Sequence, residues 1–467
     1  MRSAWCYRRI LGAVAAKLDE ADGQYYRDRA LDIRDVRRRV LAHLGGVRSY
    51  TLSDLRVPSL IVASDIPPSE MALAPRDKIL GFATDLGGRT SLTAIMARAR
   101  GIPAVVGLKQ AVRAAREGAV ALVDGTRGVA IFDPEPEVLQ EHVRKQRHYQ
   151  ELARNLAALK DQACVTLDGR SVHLGANLEV PEELPSLLEN GAEGVGLYRT
   201  EFFYLSRSTL PTEEAQYGAY RTIAEAMAPH PVVIRTLDVG GDKPLPYLPL
   251  PKEDNPFLGL RGLRVGLDRP DVLRTQLRAI LRASAAGPVR VMFPMVATLT
   301  ELRDARAMLD EERRALGTAP IPVGIMVEVP SVALLAPEFA REVDFFSIGS
   351  NDLTQYTLAM DRGHPKLAAR VDALNPAVLR LIDLTVRAAH DQGRRVGVCG
   401  GMAGDAQAVP ILVGLGVDEL SVSVPAIAAV KSQVRGLLFE QCRDLAARAL
   451  HADTERDVRA MCPAALD

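Results

Sequence analysis

A chain of 467 residues is too long for one ordinary domain and has room for two or three, one of them a barrel of about 250 residues. Its 58 basic side chains are balanced by 58 acidic ones, which removes any whole-chain electrostatic argument for nucleic acid or an anionic membrane and makes any anion site local. Five scattered cysteines (Cys6, Cys164, Cys399, Cys442, Cys462) without CxxC spacing suggest neither a disulfide framework nor a zinc site, and no run approaches about 20 uninterrupted apolar residues, so a soluble cytoplasmic protein is expected.

The opening "MRSAWCYRRILGAVAAKLDEADGQ" lacks the apolar run and small-residue cleavage site of a secretion signal. From residue 8 to about 45 the apolar residues recur at helical spacing, with a highly charged second half, "YYRDRALDIRDVRRRVLAHL". From Leu60 the pattern changes to short β-branched runs, "LIVASDI", "ILGFATD", "AVALVDG" and "GVAIFDP", separated by Gly, Pro and Asp, which predict a small α/β domain ending near Pro134. Between the second and third runs lies "GGRTSLTAIMARARGIPAVVG". Two glycines, an arginine and the hydroxyls of Thr90, Ser91 and Thr93 run there into a helix-like segment, which is how a chain offers backbone N–H groups to an anion. Leu92, in their midst, can neither bind nor carry a ligand.

The charged, helix-period segment "EPEVLQEHVRKQRHYQELARNLAALK" then reads as a solvated connecting helix. Eight strand-like runs follow in order, "VHLGANL", "GVGLYRT", "PVVIRTLDV", "VRVMFPMV", "PVGIMVEV", "VDFFSIGS", "RVGVCGG" and "VDELSVS", most of them separated by helix-length segments. Eight such units in roughly 250 residues predict an α/β chain ending in a (β/α)8 barrel. Domain boundaries are expected at 1–48, 49–136, 137–168, 169–445 and 446–467.

The reactive residues fall at the ends of those runs: Arg199, Arg235, Glu328, Asn351 with Asp352, and Cys399. C-terminal strand ends carry the active site in barrels of this kind. Two arginines can fork onto a phosphate or carboxylate, and a Glu and an Asp from neighbouring strands can hold a hard cation that shares the same anion. Taken singly, each residue has an ordinary reading: an arginine at a strand end is more often structural, and Cys399 is more often a small buried hydrophobe. Their co-occurrence at successive strand ends favours a small, metal-chelating, phosphorylated or carboxylated ligand.

The runs "DLGGRTSLTAIMARARGIPAVVG", "GVGLYRTEFFYL", "RTLDVGGDKPLPYL", "NPFLGLRGLR", "MVEVPS", "VDFFSIGSNDLTQYTLAMDRG" and "GVCGGMAGD" resemble Enzyme I of the phosphoenolpyruvate:sugar phosphotransferase system, and are nearest to the Enzyme I module of multiphosphoryl transfer proteins. The similarity runs from about Leu18 to about Leu438. It implies a TIM barrel that binds phosphoenolpyruvate and Mg²⁺, and a small swivelling domain whose histidine takes the phosphoryl group and passes it to a histidine-containing phosphocarrier protein. By motif, Arg199, Arg235, Arg261 and Arg362 would clamp phosphate and carboxylate, Glu328 and Asp352 would ligate Mg²⁺, and Asn351 would hold the phosphate. Cys399 would act as the general acid that protonates the enolate as pyruvate forms. The resemblance also implies a homodimer through the barrel. In its terms, residues 1–48 are the remnant of the helical phosphocarrier-binding insertion and 49–136 the swivelling domain; 137–168 are a linker helix, 169–445 the barrel and 446–467 a C-terminal tail.

Several positions depart from the family pattern. Its motif reads Gly-Gly-Arg-Thr-Ser-His-Thr, and Leu92 stands where the phosphorylated histidine belongs. An isobutyl group has no lone pair to accept a phosphoryl group, so transfer is expected to be impaired at this step. The sequence also begins inside the helical insertion, so the swivel sheet is expected to lack a strand and phosphocarrier docking to be affected. Leu260 replaces a usual tryptophan and Gly401 a common glutamate; neither change removes a proposed ligand. Beside the phosphotransferase reading stand two others: a phosphoenolpyruvate- and Mg²⁺-binding sensor that passes no phosphate on, and a different barrel enzyme using the same metal site. The retained swivel motifs disfavour the last.

Overall fold

The computed structural model describes residues 2–20, 33, 36–37, 40–41, 52–66, 70, 75–87, 94, 97, 101–125, 127–205, 207–241, 245, 247–364 and 366–462. The chain forms two compact units, Met1–Leu152 and Ala153–Asp467.

The first unit holds a parallel sheet of β1 (Ser59–Ala63), β2 (Ile79–Thr84) and β3 (Ala104–Val105), in that order, and a separate antiparallel hairpin of β4 (Ala121–Asp124) and β5 (Val129–Phe132). Four of these strands coincide with the β-branched runs of the sequence. The fifth, β3, is two residues long and leaves no periodicity to read; its pairing with Phe82 and Ala83 of β2 places it. Ile66, Ile79, Phe82, Ala97 and Ile102 form the core. Gly81 is required where β2 runs between its neighbours, because a Cβ there would lie 3.0 Å from Leu60 and 3.1 Å from the Pro103 carbonyl. The glycine loop begins at Gly87, whose φ of 98° suits glycine alone, but Leu92 itself lies outside the described residues. The helix Arg2–Glu20 leaves Ile10 and Val14 exposed, and the predicted connecting helix spans Pro136–Ala157.

In the second unit every predicted run becomes a strand: β6 (His173–Leu178), β7 (Val195–Arg199), β8 (Val232–Arg235), β9 (Val289–Phe293), β10 (Val323–Val327), β11 (Phe345–Ile348), β12 (Arg395–Val398) and β13 (Glu419–Ser423). All pair in parallel with their sequence neighbours, and β13 closes on β6 from Glu419↔His173 to Ser423↔Asn177, giving a closed eight-stranded barrel. The two-residue period of a strand sorts its side chains between lumen and helices. Leu197, Val233, Met292, Met326, Phe345 and Cys399 form one small cluster, while Tyr198, Ile234, Phe293, Val327 and Phe346, next to five of them in sequence, belong to the large cluster shared with the helices.

Helix boundaries follow local chemistry. Thr298 and Glu301 make a capping box at the start of Leu299–Leu316, and Gly317 ends that helix at φ 66°. In Pro270–Ala283, proline opens the helix and Val272, Leu273, Leu277 and Ile280 line the buried stripe together with one amide, Gln276. Two further helices, Phe439–Leu450 and Glu455–Met461, follow. Phe439–Leu450 packs on Val409–Gly414 so closely that a Cβ on Gly414 would lie 2.0 Å from the Cys442 carbonyl, and Arg459 of Glu455–Met461 forks onto Asp372 at 2.6 and 2.8 Å.

Candidate active site

Parallel strands deliver their C-terminal ends to one mouth of the barrel. Arg199 and Arg235 are the last residues of β7 and β8, Glu328 follows β10, and Cys399 follows β12. Asn351 and Asp352 lie in the first turn of the helix Ser350–Leu358 that leaves β11. Arg261 and Arg362 come from the loops. Arg261 precedes Gly262, whose φ of 58° and contact with Met295 exclude a side chain there.

These groups form a chain of charges. Asp352 accepts from Arg261 Nη1 at 2.9 Å on one oxygen and from Arg362 Nη1 at 3.3 Å on the other. Arg261, 1% exposed, turns its Nε and Nη2 edge onto Asp238 at 3.2 and 3.3 Å and shares Nη1 with the Tyr356 hydroxyl. Asp238 also pairs with Arg235 Nη2 at 3.2 Å, and Glu201 holds that same nitrogen at 2.7 Å. Burial works against both guanidinium charges, but the surrounding carboxylates outweigh it and hold both arginines far above their ordinary range.

Glu328 is wholly buried. Its Oε1 accepts the Met295 N–H, which is aimed by a left-handed backbone at Met295 (φ 56°), an uncommon conformation for a residue with a side chain. Among the described residues its Oε2 has no hydrogen-bond partner. Gly349 leaves that oxygen open, since a Cβ there would lie 3.0 Å from it. Burial pushes the Glu328 carboxyl up to about 8, and repulsion from Asp352 and Asp238 adds to this. A buried carboxylate oxygen without a donor, beside a second carboxylate, fits a hard cation. Among the described residues no three His, Cys, Asp or Glu side chains form a ready-made metal cage. Mg²⁺ is an ion commonly held by one or two carboxylates, with the rest of its shell from water and phosphate.

The remaining predicted residues sit around this chain. Arg199 donates to Glu179 at 2.8 Å. Asn351 accepts the Gly401 N–H at 3.1 Å, which ties the β11 and β12 exits together. The Cys399 thiol points to the Ile348 carbonyl at 3.6 Å; burial pushes it up to about 11, against a hydrogen bond to Ser347 and the fields of Arg235 and Arg199. It therefore holds its proton near neutral pH. The structure thus joins Arg235, Arg261, Arg362 and Asp352 in one network and sets Arg199 and Cys399 at other strand ends of the same barrel, with Asn351 in the first turn of the helix after β11.

Sequence reasoning missed Glu201, Asp238, Tyr356 and Met295. Glu201 and Asp238 carried a usable signal, since each is an acid beside an arginine-bearing strand end and amid apolar residues ("RTEFFYL", "RTLDV"). Met295 carried none, because its contribution is a backbone angle.

No helix among the described residues is long and apolar enough to cross a membrane. The family model described as PEP-utilising enzyme, PEP-binding domain, matches residues 153–439, and that described as PEP-utilising enzyme, mobile domain, matches residues 55–128. A phosphoenolpyruvate-protein phosphotransferase of Geobacillus stearothermophilus is 49% identical over 443 residues, 94% of this chain and 77% of that protein. Those of Priestia megaterium (50% over 425 residues; 90% and 74%) and Bacillus subtilis strain 168 (47% over 446 residues; 94% and 78%) are similar to the same extent. A solution structure of Enzyme I is 38% identical over 31% of this chain and 58% of that one, at a TM-score of 0.26, too low to carry a structural argument. With matches that span both units and nearly the whole sequence, the chain belongs to the phosphoenolpyruvate-protein phosphotransferase family of PEP-utilising enzymes.

Proposed function

We propose that the barrel binds phosphoenolpyruvate together with Mg²⁺ and that the chain acts in phosphoryl transfer from phosphoenolpyruvate to a phosphocarrier protein. One observation carries the reading: the arginines and the two carboxylates meet at one barrel mouth, with Glu328 Oε2 buried and unpartnered among them. Arg199, Arg235, Arg261 and Arg362 bind the phosphate and carboxylate, with Asn351 on the phosphate. Glu328 and Asp352 would hold Mg²⁺. Bound there, the ion supplies charge neutralisation at the phosphoryl and enolate oxygens. Where an acceptor nucleophile takes the phosphoryl group, a role that the Leu92 side chain cannot fill, the phosphorus–oxygen bond of phosphoenolpyruvate breaks with its electron pair on the enolate, and Cys399 gives its Sγ proton to the methylene carbon to form pyruvate. Calorimetric titration with phosphoenolpyruvate is expected to show heat only when Mg²⁺ is present, and absence of metal-dependent heat would overturn the reading.

Leu92 favours a second reading for the chain as it stands, in which the barrel senses phosphoenolpyruvate and Mg²⁺ and passes no phosphate on. By family resemblance the chain is further proposed to be a homodimer through its barrel. Light scattering is expected to give twice the chain mass, and a monomer mass at high concentration would refute this.

A further inference from the structure

Gln276 lies outside the barrel, on the helix Pro270–Ala283, and is fully buried in a stripe that is otherwise apolar. Its Oε1 accepts the Leu237 N–H at 2.8 Å, and its Nε2 donates to the Thr200 hydroxyl at 3.2 Å and to the Tyr220 hydroxyl at 3.1 Å. Thr200 in turn donates its proton to the Arg235 carbonyl at 2.8 Å. One amide therefore holds the exits of two neighbouring strands, β7 through Thr200 and β8 through Leu237. The next residue on each side completes the grip: Glu201, after Thr200, holds the Arg235 guanidinium at 2.7 Å, and Asp238, after Leu237, holds both Arg235 and Arg261.

An apolar side chain of equal size would suffice to fill this stripe. An amide there means that a buried polar group has been retained where its full set of hydrogen bonds is available. A small cavity lined by Thr236, Leu237, Gly262, Leu263 and Gln276 lies directly behind the β8 exit. Leu237 packs there in a cluster with Val239, Val265 and Val272, and the hydrogen bond from its N–H to Gln276 adds a fixed direction that apolar packing alone does not impose.

We propose that Gln276 is a positioning residue for the phosphoenolpyruvate clamp, setting Arg235 from behind through the Leu237 N–H and the Thr200 hydroxyl. This rests on the barrel binding phosphoenolpyruvate. A displacement of an ångström at a clamp that works by position is costly, because the arginine fork must meet its anion in one geometry.

The test is calorimetric titration of phosphoenolpyruvate with Mg²⁺ into the full chain and into Gln276→Met, Thr200→Val and the double variant, with folding checked by thermal denaturation. Each single change is expected to weaken binding about tenfold in protein that remains folded at the assay temperature. The double variant is expected to be no weaker than the worse single, because both cut the same support. A merely structural role would lower the melting temperature and leave affinity alone, so variants within twofold of the parent overturn the proposal. Should Gln276→Met fail to fold, Thr200→Val, which removes one hydroxyl and keeps the shape, decides on the same criterion. No heat from the parent chain overturns the reading of the barrel and this inference with it, whereas heat from the parent with unchanged variants overturns this inference alone.

Discussion

Glu328→Gln is expected to abolish the Mg²⁺-dependent heat of phosphoenolpyruvate binding and leave the barrel at least as stable, whereas Asp352→Asn abolishes the same heat and destabilises the fold. Both substitutions remove a carboxylate ligand from a hard-cation site. Their effects on stability differ because their surroundings differ. Glu328 is buried beside Asp352 and Asp238, its carboxyl is pushed up to about 8, and it already carries its proton near neutral pH. Glutamine is close in shape to that protonated acid, can still accept the Met295 N–H, and removes the repulsion. Asp352 instead receives Arg261 and Arg362 on its two oxygens, and Arg261 is almost fully buried. Taking one partner from a buried ion pair costs about 3 kcal/mol or more. Calorimetry and thermal denaturation on the two variants read both quantities. Unchanged affinity in both would mean that the ligand assignment is wrong, and a matching loss of stability in both would mean that Glu328 is held as a paired charge.

The second expected result concerns the other unit. Incubated with labelled phosphoenolpyruvate and Mg²⁺, the Leu92→His variant takes up acid-labile phosphate and the parent chain takes up none. An imidazole nitrogen has a lone pair and a pKa near neutrality, which suits it to accept a phosphoryl group and release it again. The neighbouring hydroxyls of Ser91 and Thr93 would need a base and would form stable esters. Label on the variant alone would mean that only the nucleophile separates this chain from transfer. An unlabelled variant, with the barrel still binding phosphoenolpyruvate, would favour the sensor reading. Acid-labile label on the parent would point to an acceptor other than position 92.

The barrel could be read from sequence because its strands are eight short apolar runs in order, most of them separated by helix-length segments. The same regularity put Arg199, Arg235, Glu328 and Cys399 at strand ends, where a parallel barrel gathers them. β3 of the first unit could not be read this way: two residues have no period, and only pairing with Phe82 and Ala83 makes them a strand. Arg261 and Arg362 were named by resemblance alone, since they sit in loops whose path the sequence pattern does not fix.

What sequence by itself determined, then, is which residues are available and at which end of the barrel most of them lie, because apolar runs and their order along the chain are local properties. Tertiary structure decided who partners whom. Asp352 and Arg261 are 91 residues apart, as are Arg235 and Met326, and Gln276 reaches Thr200 across 76. Only closure of the barrel brings such groups within hydrogen-bonding range, and only there does burial make an unpartnered oxygen on Glu328 and a turned N–H at Met295 count for as much as the charged residues around them.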